Sequence, residues 1–182
     1  MKRIIIIFVL LASIYTIGKA QNHFKNTWYM DAALGLSDQI ALEPALGVGY
    51  NINDWFSVNG RYAFKTPHEN DRYRFFEHSL DIFAKCTVLN YKETICLNLL
   101  GGFTQSYNKY SEIPRPTFNP KVFNFGYVGG IEFEYLCNNN LAFFAQANNR
   151  GYFLDYQHLE LTYQIGARMD LSLFTLQTIR RK

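Results

Sequence analysis

The chain reads as an all-β protein, an eight-stranded antiparallel transmembrane (outer-membrane) β-barrel. Three observations lead there: long runs that alternate apolar and polar side chains, glycine concentrated on the polar face, and connections that alternate in length. Alternation with a period of two marks an extended strand, because successive side chains leave opposite faces of the pleat. The clearest run spans 159–173. Leu159, Leu161, Tyr163, Ile165, Ala167, Met169, Leu171 and Leu173 share one face, opposite Glu160, Thr162, Gln164, Gly166, Arg168, Asp170 and Ser172. Strands of soluble domains average about 5–6 residues. A strand that crosses a bilayer needs about 9–11, with one face apolar throughout.

Seven further strands can be read in order. The first, 27–36, carries Trp28, Met30, Ala32 and Leu34 on one face. The second, 41–52, sets Leu46, Val48, Tyr50 and Ile52 against Ala45, Gly47, Gly49 and Asn51. Asn53-Asp54 turns it into the third, 55–64, where Phe56, Val58, Tyr62 and Phe64 oppose Ser57, Asn59 and Arg61. After a polar stretch from 65 to 74, the fourth (75–88) opposes Phe76, Leu80, Ile82 and Ala84 to Glu77, Asp81 and Lys85. A turn near Asn90-Tyr91 leads to the fifth, 94–107, with Ile95, Leu97, Leu99 and Phe103 against Asn98, Gly102 and Thr104. Beyond a segment with Pro114, Pro116 and Pro120 comes the sixth, 122–137, which alternates aromatics with Asn124, Gly126, Gly130, Glu132 and Glu134. Asn138-Asn139-Asn140 turns into the seventh, 141–148, whose facing is ambiguous at Phe143-Phe144. The eighth strand is expected to close the barrel on the first.

The connections after the first run short, long, short, long, short, long. Outer-membrane barrels combine an even strand number with short periplasmic turns and longer outer loops. A soluble lipocalin-like barrel would also alternate, with an apolar interior. Glycine argues against it: Gly35, Gly47, Gly49, Gly102, Gly126, Gly130 and Gly166 fall on the polar face. There glycine would weaken a solvated strand, whereas a narrow lumen needs small residues beside large ones. Aromatics near strand ends, among them Trp28, Tyr50, Trp55, Phe64, Tyr107, Phe123 and Tyr135, resemble lipid-facing girdles. The polar face is then the lumen. It carries Asp31, Glu43, Glu77, Asp81, Glu132, Glu134, Glu160 and Asp170 against Arg61, Lys85 and Arg168. Such groups persist when paired or hydrated, so a plugged interior is expected, with a small cation-preferring pore as the alternative.

Residues 1–20 read as a cleaved signal peptide. Lys2 and Arg3 precede the apolar run Ile4 to Ala12, and Gly18 and Ala20 supply the small residues of a cleavage site. The barrel is assigned to 21–174 and a short basic tail to 175–182. The formal charge of +3 resides in the leader, whose Lys2, Arg3 and Lys19 leave 15 basic and 15 acidic residues. A neutral exported chain gives no reason to expect direct nucleic-acid binding. Cys86, Cys96 and Cys137 fit no zinc spacing, and the reading implies no cofactor. Cys86 and Cys96 fall on opposite faces, against a disulfide.

No nucleophile is placed beside a base as covalent catalysis requires: His78 and Ser79 leave opposite faces, and His158 with Glu160 lacks an adjacent serine. A non-enzymatic protein is expected. Loops on a rigid scaffold usually carry binding. Tyr110, Arg115 and Phe118 in one outer connection, and Arg150, Tyr152, Phe153 and Tyr156 in another, supply the Tyr and Arg anchors common at interfaces.

The segment Phe125-Gly126-Tyr127-Val128-Gly129-Gly130-Ile131-Glu132-Phe133-Glu134-Tyr135, the turn Asn138 to Leu141, the stretch Gln146 to Arg150 and Gln164-Ile165-Gly166 have a shared likeness. In order and spacing they resemble the C-terminal half of the conjugal transfer protein TraO family of Bacteroidetes-type conjugative elements, over roughly 95–173. The leader ending at Ala20-Gln21 is similar too. The resemblance implies an outer-membrane component of a DNA-transfer apparatus that works by contact with other proteins of the machine. Without it, the reading is a general surface barrel of the OmpX/OmpA kind, embedded in outer-membrane lipid and binding surface ligands through its loops.

Overall fold

The computed structural model describes residues 25–37, 41–66, 75–92, 94–110, 121–137, 140–153 and 159–171. The proposed leader (1–20), the tail 175–182, and Arg115, Phe118, Tyr156 and His158 lie outside them. Eight strands form the wall: β1 (Thr27–Ser37), β2 (Leu42–Asn51), β3 (Phe56–Lys65), β4 (Phe75–Tyr91), β5 (Ile95–Tyr110), β6 (Lys121–Leu136), β7 (Leu141–Tyr152) and β8 (Leu159–Asp170). Each pairs antiparallel with its neighbours in sequence. β8 closes the barrel on β1, from Tyr29 opposite Asp170 to Ser37 opposite Thr162. Closure gives every strand a ladder on both sides, the condition for a sheet to lie in lipid.

Local chemistry sets the turns. Between β2 and β3, the Asn53 side-chain oxygen accepts from the backbone N–H groups of Trp55 and Phe56, each at 2.8 Å, a side chain standing in for a backbone turn. Between β4 and β5 the turn falls at 92–94, later than Asn90-Tyr91 suggests. A register shift between Thr87 and Leu89 keeps β4 paired to its end at Tyr91, and the extra residue keeps Leu89 and Tyr91 outward. β8 ends at Asp170 rather than Leu173. The connections at 66–74, 111–120 and 153–158 share one end of the barrel with 38–41, and the tighter ones at 52–55, 92–94 and 137–140 share the other. They are called below the long-loop and short-turn ends.

The barrel is inside-out. Phe103 is 73% exposed, Ile165 68% and Leu46 67%, whereas the fully buried large side chains include Arg61, Arg150, Arg168, Glu132 and Glu134. No helix among the described residues is long and apolar enough to cross a membrane; the strands present the apolar surface. Trp28 packs against Tyr50 near the short-turn end, with ring centroids 5.1 Å apart. Near the other end Phe64 stacks on Phe76 and Phe123 meets Phe125 edge-on. Cys86 is partly exposed, Cys96 is buried and Cys137 exposed, and none of the three is joined in a disulfide. If lipid covers the outward face, Ile165→Arg should destabilise the barrel by about 2–4 kcal/mol in a bilayer. Equilibrium denaturant titration in liposomes measures it, and a change near zero would contradict this facing.

Candidate functional site

The lumen is where the chain concentrates its chemistry. Asp31, Glu43, Arg61, Glu77, Asp81, Lys85, Glu132, Glu134, Glu160, Arg168 and Asp170 all point inward and are buried. Two cations join them that sequence reading places elsewhere. Lys65, assigned to a polar connection, is the last residue of β3 and is buried. Arg150, assigned to an outer loop, lies inside β7 and is fully buried. Among the described residues the lumen thus holds eight carboxylates and five basic groups.

Arg150, Arg168 and Lys65 each bridge carboxylates, and Arg61 joins one carboxylate to two amide oxygens. Arg150 grips Glu43 with both terminal nitrogens, at 2.9 and 2.8 Å, and reaches Asp81 at 2.6 Å. Arg168 takes Glu132 at 2.9 Å and Glu134 at 2.5 Å. Arg61 donates to Asp31 through Nε and Nη2, at 3.2 and 3.0 Å, and to Gln146 at 2.7 Å and Gln164 at 3.0 Å. Lys65 pairs with Glu77 at 3.0 Å and makes a close ion pair with Glu160. Neutral donors occupy remaining lone pairs: Thr104 on Asp81 at 2.6 Å, Gln164 on Glu43 at 2.7 Å, and Asn98 on both Glu132 and Glu134. Planar guanidinium groups suit this work because their donors form a fixed fork that matches a carboxylate.

At mid-height the interior is closed by a column of alternating rings and cations. Arg61 lies 5.3 Å from the Phe83 ring centre and 5.2 Å from that of Phe144; Arg168 lies 5.0 Å from Phe144 and 4.9 Å from Tyr29; Lys85 lies 4.6 Å from Tyr29. These are cation–π distances. Every one of these rings faces a glycine across its ladder: Tyr29 opposite Gly49, Phe83 opposite Gly102, Phe144 opposite Gly166. A Cβ at any of the three would collide with the opposing aromatic residue. The glycine-rich polar face therefore provides the room for three inward aromatics. Phe144, not Phe143, is the inward member of its pair.

Three of the anchors read from sequence, Arg150, Tyr152 and Tyr110, need correction. The run Asn148-Asn149-Arg150-Gly151 has turn composition, but β7 continues through it to Tyr152. Asn148 and Arg150 keep the inward phase of Gln146, and the two carboxylates waiting for Arg150 outweigh local turn preference. Tyr152 donates to Glu77 at 3.0 Å, and Gly151 is covered by the Tyr127 ring. Tyr110 is the last residue of β5. Phe153 stands exposed just past β7, with its ring 6.1 Å from Tyr127. His78 sits on the outer face, its Nδ1 2.5 Å from the Tyr62 hydroxyl, while Ser79 faces the lumen and Glu160 is held by Lys65. None of these forms a nucleophile–base pair.

This geometry is that of an outer-membrane β-barrel with a filled interior. Solved structures show the same fold. The N-terminal β-barrel domain of Pseudomonas aeruginosa OprF matches with a TM-score of 0.61 at 12% identity, over 81% of this chain and 98% of that one. Neisserial surface protein A matches with 0.59 at 15%, over 78% and 94%. Ail, the attachment invasion locus protein of Yersinia pestis, matches with 0.55 at 12%, over 81% and 100%. It has also been solved with the heparin analogue sucrose octasulfate. PagL, an outer membrane enzyme, has the same architecture, with a TM-score of 0.52 at 11% identity over 78% of this chain and 98% of that one. No family model and no curated protein sequence matches the chain, so the resemblance to the TraO family gains no support.

Arg150→Met strands Glu43 and Asp81 and should cost about 3–5 kcal/mol, whereas Phe153→Ala should change stability by only about 0.5 kcal/mol. Heat-modifiable gel migration against temperature compares them; equal effects would return Arg150 to the loop. Planar-bilayer recording should show no large steady conductance, and a stable open channel would contradict the central column.

Proposed function

We propose that this protein is a non-enzymatic surface barrel that binds a partner or ligand through the connections at its long-loop end. The filled lumen carries this reading. With the interior committed to ion pairs and stacked rings, a transport role has no path, and the outward face is apolar. What remains is the rim. β6 runs on through Lys121–Phe125 beyond Gly126, where its ladder with β7 ends, and β5 accompanies it. The connection 111–120 thus follows strands that rise above β7, with β4 paired to β5 up to Tyr110 on the other side. Long connections of outer-membrane barrels face the outside, which would present Arg115 and Phe118 to the medium.

Likeness in fold to two surface proteins, one from Neisseria and one named for attachment, supports a surface role over a conjugative one. A place in a DNA-transfer apparatus rests on the residue resemblance within 95–173 alone. Non-catalysis is supported by His78 facing lipid while Ser79 faces the lumen.

The test replaces 111–120 with a short Gly-Asn turn in the full-length protein on whole cells. Loss of adhesion to host-cell or matrix surfaces, with the heat-modifiable barrel retained, is the expected result. Unchanged adhesion and unchanged cross-linked partners would refute the reading. Cross-links to transfer proteins, with loss of DNA transfer, would favour the conjugative role instead.

A further inference from the structure

The outward face is not evenly ridged. On β7 the outward positions after Phe143 are Ala145, Ala147 and Asn149, all short. The strands on either side carry large residues level with the two alanines. Ala145 lies between Phe133 and Ile165, and Ala147 between Ile131 and Tyr163. Short side chains between two tall rows leave a trough. A groove of about 560 Å³ opens there, lined by all six of these residues and almost entirely apolar.

A second observation stands at the long-loop end of the trough. Asn149, the next outward residue of β7, is exposed amid apolar neighbours. Across the ladders it meets Gly129 and Leu161, and along β7 its outward neighbours are Ala147 and Gly151. None of the four offers its amide a polar side-chain atom. Nor does Asn149 lie at the rim. Beyond it the Tyr127 ring covers Gly151 and lies 6.1 Å from the Phe153 ring. Leu159, opposite Gly151, is also exposed there. A polar group in lipid is costly unless it finds a partner. Space beside the amide is open, since a Cβ built on Gly129 would approach no other strand closer than 3.8 Å.

Depth and shape identify the occupant. Aromatic side chains of membrane barrels gather at the headgroup level. Tyr127 and Phe153 mark that level, and Asn149 lies one step inside it, where the linkages between acyl chains and headgroup sit. An ester or amide linkage presents a carbonyl oxygen, and the side-chain nitrogen of Asn149 is a donor suited to it. Below the linkage, a hydrocarbon chain matches the apolar trough. A second copy of the barrel fits less well, because two concave faces brought together enclose empty volume in place of contact.

We propose that the trough over β7 holds one acyl chain of a lipid from the leaflet at the long-loop end, with the Asn149 amide donating to the carbonyl of its ester or amide linkage. That lipid is a bound ligand, distinct from those that exchange freely around the barrel. The site is independent of whatever the outer connections bind.

Lipid retention tests it. The full-length barrel is reconstituted in equal amounts of ester-linked and ether-linked phosphatidylcholine with the same chains, the ether lipid lacking the carbonyl. After transfer to detergent, native mass spectrometry weighs the lipid that stays bound. One lipid per barrel is expected, with the ester form favoured about fivefold, a ratio that one neutral hydrogen bond supports. Asn149→Leu should remove that preference. Ala147→Phe, which fills the trough, should abolish retention. Val58→Phe, exposed on β3 at the opposite side of the barrel, should change neither, and heat-modifiable migration verifies that each variant folds. No retained lipid in the unaltered protein, retention indifferent to Ala147→Phe, or equal binding of ester and ether lipid would each overturn the proposal. So would a dimer mass that Ala147→Phe abolishes, since it would give the trough to a second copy.

Discussion

A closed barrel with lipid outside has one place for its charges, and in this protein that place is too narrow for bulk water to screen them. The structure follows from that constraint. Arg61, Arg150 and Arg168 are fully buried, so each must find its compensation among side chains projecting from other strands. Removing one partner of such a group leaves a bare charge, which costs far more than the pair contributes in net stability. The network is therefore less a source of stability than a condition on which arrangement of strands is tolerable. A one-residue slip of β8 would turn Glu160, Arg168 and Asp170 into lipid, taking Glu160 from Lys65 and Arg168 from Glu132.

The same constraint explains the composition of the inner wall. Two of the guanidiniums are engaged edge-on by carboxylates or amide oxygens and face-on by Phe83, Phe144 and Tyr29. Flat rings need space that a second side chain across the ladder would fill, and glycine leaves it. Gly49, Gly102 and Gly166 are spatial counterparts of the aromatics opposite them, so glycine and aromatic form one device built from two strands. Gly151 under Tyr127 repeats it on the outer wall, where the ring covers backbone that would otherwise meet lipid.

A filled interior moves function to the rim. OprF, Neisserial surface protein A, Ail and PagL share this barrel at 11–15% identity, which shows how little of the wall sequence the fold requires. It also shows that the fold alone does not choose a role. In this chain β5 and β6 rise above β7 at the long-loop end, and the charge of the lumen is unevenly shared between its two halves.

The amino-acid sequence by itself determined the number of strands and the side most of their residues face, because period-two alternation is a local property that survives any pairing partner. Asp31, Arg61, Glu132 and Arg168 could be placed inward on that ground alone. Three things needed the tertiary structure. Asn148-Asn149-Arg150 carries turn chemistry, and only Glu43 and Asp81, 107 and 69 residues away, draw Arg150 inward. Lys65 borders a polar stretch, and only the carboxylates of β4 and β8 draw it inside. Phe143 and Phe144 are identical in type, and only Gly166 with the two guanidiniums decides which one turns inward. In each case the deciding partner is remote in sequence, and burial of charge and ring is an energy that exists only once the barrel has closed.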